Sequence, residues 1–450
     1  MTVTLTRNAI AYTLHRLMDI AAPAQQYTVC IEAGNPSVQL TRELSICFSL
    51  IPETDWPKLL AGEYPMTYIP SYDHAVTVPL LLEKGNSFAV WNGNILEVHA
   101  DIITLSFLLL SRAEEELTPE RDRYDRFLWK NSLAAKYSFI DFPIVDEWAM
   151  LLRSALSERV NMDSLGRHTP SLRLTHDMDS ARRFPNLFVA ARTILGGDLL
   201  RLKSFRIAAK SFRQYITSRT HPEKDPSLLG AQILMESSLL HGFISEFYFM
   251  GLETGEDDFR YDVSAPAVQA AAQQLTAAGM ICGFHGSRLT PKNADRFRLE
   301  QQRVANALKL SIRCGRQHYL CFDALETPRI WQEAGMVYDD TLGYADHEGF
   351  RCGTCHEYPL YDLKKDQPLT VIERPLIAMD DTLMEYRGLT CADSLKILKQ
   401  LFLRCYAVEG DFVLLWHNDS LFREWEPWFE QVYRPFIKWA AERLGKEKTH

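Results

Sequence analysis

The chain has no apolar run approaching the roughly 20 residues that a bilayer-spanning helix needs. Its greasiest stretch, Ile102-Ile103-Thr104-Leu105-Ser106-Phe107-Leu108-Leu109-Leu110, is far shorter and reads as a buried core element. No membrane span is expected. The opening residues, MTVTLTRNAIAYTLHRL, lack a charged start followed by a long apolar segment. No export signal is expected there, and a cytoplasmic location is the corresponding expectation. Long basic blocks are also missing. With 49 Lys and Arg against 58 Asp and Glu, the net charge of -9 argues against a nucleic-acid partner. Cysteine is scarce, and its nine copies are odd in number and scattered over 450 residues. That usage fits free thiols in a reducing compartment better than a disulfide framework. The pair Cys352-Gly353-Thr354-Cys355 has no second Cys-x-x-Cys to complete a zinc ribbon. Structural cysteines are expected, with a thiol redox pair as the alternative. Neither an internal repeat nor a low-complexity segment is present.

What is present divides into two styles. Residues 1–165 read as a mixed α/β domain to which the sequence assigns no role and no protein partner. Strand-like pieces lie at 27–31 and 88–91, and Asn92-Gly93 signals a hairpin turn. The charged stretch from Ala113 to Arg126 reads as a solvated helix end and loop. Apolar residues at helical spacing follow from Ile144 to Leu152, and the polar run 161–167 marks a boundary. Residues 166–450 alternate between strands and helices. Strands are expected at 171–176, 244–249, 281–284, 310–314, 370–374 and 412–416. Helices are expected at 264–279, 292–308, 392–407 and 422–443. Such alternation predicts a parallel α/β sheet or barrel with helices outside.

Four of these strand-like segments deliver chemistry at their C-terminal ends. Leu172-Arg173-Leu174 runs into Thr175-His176-Asp177-Met178-Asp179. Ile281-Cys282-Gly283-Phe284 ends in His285-Gly286-Ser287, and Leu310 to Gly315 ends in Arg316-Gln317-His318-Tyr319. Phe412 to Trp416 ends in His417-Asn418. In parallel α/β folds that end of the strands is where active sites are built. If the first strand continues, its period of 2 puts Asp177 and Asp179 on one face. Two carboxylates that close need a cation, a proton or an arginine.

With Gly315-Arg316-Gln317-His318-Tyr319-Leu320, Tyr338 to Tyr344, Gly349 to Cys355 and the preceding Phe142-Pro143-Ile144-Val145-Asp146-Glu147-Trp148, this pattern resembles the polysaccharide deacetylase family. That family is also known as the NodB-homology or carbohydrate esterase family 4 domain. The similarity is to the bacterial branch with an Asp-x-Asp first motif and an N-terminal extension. It implies a distorted (β/α) barrel over residues 166–450. It also implies removal of N- or O-acetyl groups from a glycan or envelope-polysaccharide precursor, and a divalent metal, zinc first. By the resemblance, Asp177 is the catalytic base, Arg316 supports it, and His417 protonates the leaving group. Asp179 and His285 are metal ligands. Asp340 matches the acidic residue near the late histidine. Tyr319, Asp340, Arg351 and Trp416 are candidate substrate contacts.

The chain departs from the family at one ligand. The second motif is ordinarily His-x-x-x-His, and four residues after His285 stands Leu289. His318, at the end of a neighbouring strand, is the substitute named here, with Ser287, a water or a substrate oxygen as alternatives. Catalytic zinc ordinarily has three protein ligands and one open position. The departure therefore keeps a second reading open, a non-hydrolytic sugar-binding protein on a deacetylase-like fold.

Overall fold

A computed structural model describes residues 3–32, 34–70, 75–78, 87–252, 261–422 and 428–445. The chain divides into two compact units. One comprises Met1–Ser171, Tyr319–Ala378 and Gln400–Val413, and the other Leu172–His318, Met379–Lys399 and Leu414–His450.

The first unit contains a five-stranded sheet in the order Thr28–Glu32, Asn35–Gln39, Ser45–Phe48, Ile95–Val98, Ala89–Asn92. The last two strands form the expected hairpin, closed at Asn92 opposite Ile95. A two-residue loop of that kind needs a left-handed residue, and Gly93 supplies it at φ +57. All nine residues of the helix Ile102–Leu110 are buried, as its apolar sequence demands. Asp101 caps this helix, accepting hydrogen bonds from the amides of Ile103 (3.1 Å) and Thr104 (2.8 Å), and it also accepts from Ile51 N (2.6 Å). The helices Arg7–Ala21 and Ile144–Leu156 pack around it. Elsewhere in the unit, Gln367–Glu373 pairs parallel with Tyr338–Asp339 and antiparallel with Tyr358–Asp362.

The charged run is a correction to the sequence reading. Glu114 and Glu115 are buried rather than solvated, together with Arg112. Arg112 binds Glu114 (2.7 Å) and Glu115 (2.8 Å), and Arg351 binds Glu115 again at 2.8 Å. Charges survive burial only when paired and hydrogen-bonded, which this cluster achieves. The Cys-x-x-Cys segment is structural in the same sense. Asp146 accepts from Thr354 Oγ1, from the Cys355 amide (2.8 Å) and from Cys355 Sγ (3.2 Å). Burial pushes the Cys352 thiol up to about 12 and the Cys355 thiol well above its ordinary value. That is opposite to what a reactive thiolate requires.

The second unit is of the α/β class. One sheet carries, in order, Cys314–Gln317, Ile281–Gly286, Ser245–Met250, Ser171–Met178, Asp411–Leu415 and Leu376–Met379. The first four run parallel. Helices Pro226–Leu240, Pro266–Ala277 and Ala294–Leu308 alternate with them. Among the described residues Leu376–Met379 is an edge strand with a single neighbour. The α/β class expected from the sequence is met. The strand expected at 310–314 lies instead at Cys314–Gln317, because its partners are Phe284, His285 and Gly286. Gly315 is required there, since a Cβ would stand 2.0 Å from the Phe284 carbonyl oxygen. Of the helix expected at 422–443, residues 423–427 lie outside the described residues, and helical turns occupy Phe429–Tyr433 and Arg434–Gly445. No described helix is long and apolar enough to cross a membrane.

Candidate active site and metal centre

Register brings the strand-end residues together. Parallel pairing sets His285 beside Arg316 and Asp177 beside Tyr248. Arg316 is fully buried, passes over the Tyr248 ring (5.2 Å to its centroid), and reaches the first strand. Its Nη1 donates to Asp177 Oδ1 at 2.8 Å and its Nη2 to Thr175 Oγ1 at 2.9 Å. Thr175 and Asp177 are two apart and therefore share a face. His176 points the other way. Its Nδ1 lies 2.8 Å from the Trp416 carbonyl and its ring packs on Phe247. Burial holds its pKa down at about 4, so it is a neutral part of the core.

His285 decides the chemistry of the centre. It is buried, and its Nδ1 lies 3.0 Å from the Arg316 carbonyl oxygen. A carbonyl only accepts, so Nδ1 carries the hydrogen, which leaves Nε2 as the ring atom able to serve as a ligand. That Nε2 faces Asp179 Oδ1 at 3.2 Å and Asp177 Oδ2 at 3.7 Å. His318 Nε2 approaches Asp179 Oδ2 at 3.6 Å, and the two imidazoles meet edge to face, 5.0 Å apart. Asp179, His285 and His318 each offer a ligand atom, all within 4.8 Å of one another. His285 Nε2 and Asp179 Oδ1 are buried without a hydrogen-bond partner. Three candidate ligand atoms this close, two of them buried without a hydrogen-bond partner, fit a cation, and the mixed N/O donor set fits a divalent transition metal. Burial works against the Asp179 charge, but His318, His285 and His417 outweigh it and hold its carboxyl well below the usual carboxylate range.

The other sequence alternatives separate clearly. Ser287 is turned away, donating from Oγ to Glu300 at 2.8 Å, and Leu289 is exposed. His417 stands across the centre, with Nε2 at 3.9 Å from Asp179 Oδ2. Its Nδ1 lies 2.6 Å from Asp380 Oδ1, and its amide donates to Asp380 Oδ2 at 2.9 Å. Ser420 Oγ donates to the same carboxylate at 2.6 Å. Burial disfavours the imidazolium, but Asp380 and Asp381 prevail and raise the His417 pKa well above its ordinary value.

Asp380 was not singled out from the sequence. It follows Leu376-Ile377-Ala378-Met379, a short apolar run ending in acid, which is the signal the other four segments share. Asp340 is not the partner of His417. It is buried and bound by Arg374 through two nitrogens, at 2.7 and 2.6 Å. Arg351 is enclosed with Glu115. Trp416 is wholly buried and packs on Tyr433. Tyr319 holds a left-handed backbone (φ 60) and stacks on Tyr124 at 4.7 Å.

Residues 35–161 match a family described as a family of unknown function (DUF7033). No curated protein matches the chain. Among solved structures, the chain is similar to one described as "Crystal structure of putative polysaccharide deacetylase from Mycobacterium smegmatis". That likeness has a TM-score of 0.38 and 18% sequence identity, and covers 63% of this chain and 92% of the other. Similarity at this level decides neither fold nor activity.

Proposed function

We propose that the chain is a metal-dependent carbohydrate deacetylase, hydrolysing an N- or O-acetyl group of a glycan or envelope-polysaccharide precursor. The observation that carries this reading is the convergence of His285 Nε2, Asp179 and His318 within 4.8 Å of one another. Asp179, His285 and His318 would hold the ion. Bound there, a zinc-like ion supplies Lewis acidity toward the acetyl oxygen and lowers the pKa of a water.

The remaining work belongs to side chains. Asp177 Oδ1 is committed to Arg316, which leaves Oδ2 as the atom that takes the water's proton. Arg316 holds that carboxylate in position, and Thr175 anchors the guanidinium. His417 delivers a proton from Nε2 to the leaving nitrogen or oxygen, because Nδ1 is occupied by Asp380. Asp340, Arg351 and Trp416 are left out of the substrate contacts because their side chains are enclosed.

A deacetylase-type barrel over 166–450, preceded by the mixed α/β domain of 1–165, is part of the same proposal. The family match over 35–161 supports that division. A cytoplasmic setting is supported by the nine cysteines, all free. The exposed Leu289 in place of a second motif histidine favours the sugar-binding alternative. The test is acetate release from N-acetylated oligosaccharides by the purified protein, with Asp177→Asn as control. Release lost in the variant supports hydrolysis. Saturable glycan binding without release, in metal-loaded protein, supports the alternative.

A further inference from the structure

Helices in the second unit ordinarily hide their apolar side chains. Ala294–Leu308 buries Phe297, Val304 and Leu308, and Pro266–Ala277 buries Val268 and Leu275. The segment after Asp179 reverses this. It comprises the helix Leu187–Ala191, the wide turns of Arg192–Arg201 and the helix Phe205–Thr220. Phe188, Leu195, Leu200, Phe205, Phe212 and Ile216 are all exposed, Phe205 by 84% and Phe188 by 76%. In the last helix only Ala208 and Ser211 are buried. At 3.6 residues per turn, Phe205, Phe212 and Ile216 form one stripe, Ala208 and Ser211 lie to one side, and Arg206, Lys210 and Arg213 lie to the other.

Charge sets this segment apart as well. Residues 182–219 hold nine Lys and Arg and a single acid, Asp198, whereas the rest of the chain has 40 Lys and Arg against 57 Asp and Glu. A strongly basic segment with outward aromatic and aliphatic side chains, on an otherwise acidic protein, complements a surface that is negative outside and apolar beneath. A nucleic acid would use the cations and leave the phenylalanines in water. A second copy would cover the phenylalanines but set the cations of one segment against those of the other. We infer that residues 187–216 form an interfacial docking surface for anionic phospholipid membranes, with the Phe205–Ile216 stripe entering the headgroup boundary. This inference rests on the surface alone and not on the reaction proposed above.

The test is co-sedimentation of the full chain with vesicles of phosphatidylcholine alone or containing about one third phosphatidylglycerol. Expected is binding to the anionic vesicles only, weakened by 0.5 M salt, as screening requires. Arg206→Ala/Arg213→Ala should lower the partition coefficient roughly tenfold or more, at about fivefold per cation removed. Phe205→Glu/Phe212→Glu should abolish binding with an unchanged circular dichroism spectrum, since both side chains already face water. Failure of the unaltered chain to bind anionic vesicles at low salt overturns the inference, as does binding that ignores phosphatidylglycerol. So does a dimer in solution that ignores vesicles and becomes monomeric in Phe205→Glu/Phe212→Glu, which assigns the stripe to a second copy.

Discussion

His285 gives its Nδ1 hydrogen to the carbonyl of Arg316, 3.0 Å away, and the same residue, Arg316, sends its guanidinium 2.8 Å from Asp177. One strand residue thus orients a candidate ligand through its backbone and the candidate base through its side chain. Each contact depends on the parallel register that pairs His285 with Arg316.

The first prediction separates the candidates for the third ligand. His318→Ala should weaken zinc binding by about 10-fold or more, in the range typical of lost metal-site groups. Ser287→Ala should retain the metal, because that hydroxyl is bound to Glu300. Competition with a chromophoric chelator measures both. Equal loss in the two variants would contradict the assignment.

Asp380 and His417 should behave as one device. Asp380→Asn and His417→Ala should each lower acetate release by about 10²–10⁴-fold, and the double variant should be little worse than either. Independent, multiplicative losses would mean that Asp380 does not act through His417.

A pH-dependent contribution to stability is expected at Asp101. Burial raises its pKa to about 6, against the amides of Ile51, Ile103 and Thr104. A carboxyl raised on folding favours the folded state most below its unfolded pKa of about 4, and that contribution is lost as pH climbs through about 6. Between pH 4 and 7.5 the stability of the native chain relative to Asp101→Asn should fall by about 2–3 kcal/mol. Urea unfolding of both proteins at the two pH values measures this. A difference that does not change with pH would contradict it.

The buried cluster of Arg112, Glu115 and Arg351 should be costly to break. Glu115→Ala leaves two arginines without their shared carboxylate and should destabilise by about 3–5 kcal/mol. A loss below about 1 kcal/mol in denaturant unfolding would show that water reaches the cluster.

Much of the fold was legible because backbone period and apolar runs are local. The buried helix Ile102–Leu110, the hairpin at Asn92-Gly93 and the strand ends at Asp177, His285 and His417 all follow from short patterns. What escaped depends on partners distant in sequence. Glu114 and Glu115 look solvated until Arg112 and Arg351 are set beside them. The Cys314–Gln317 strand carries Arg316 and Gln317, polar residues tolerated inside because Arg316 donates to Asp177 and Gln317 accepts from Thr290. Asp380 escaped because its strand is short and its meaning lies in His417, 37 residues away.

The most direct test of the account is elemental analysis of the purified protein beside an Asp179→Ala/His285→Ala variant. About one zinc or similar divalent ion per chain is expected, lost in the variant while the fold persists by circular dichroism. A chain that holds no metal even after reconstitution, or a variant that keeps it, would contradict the assignment of the centre.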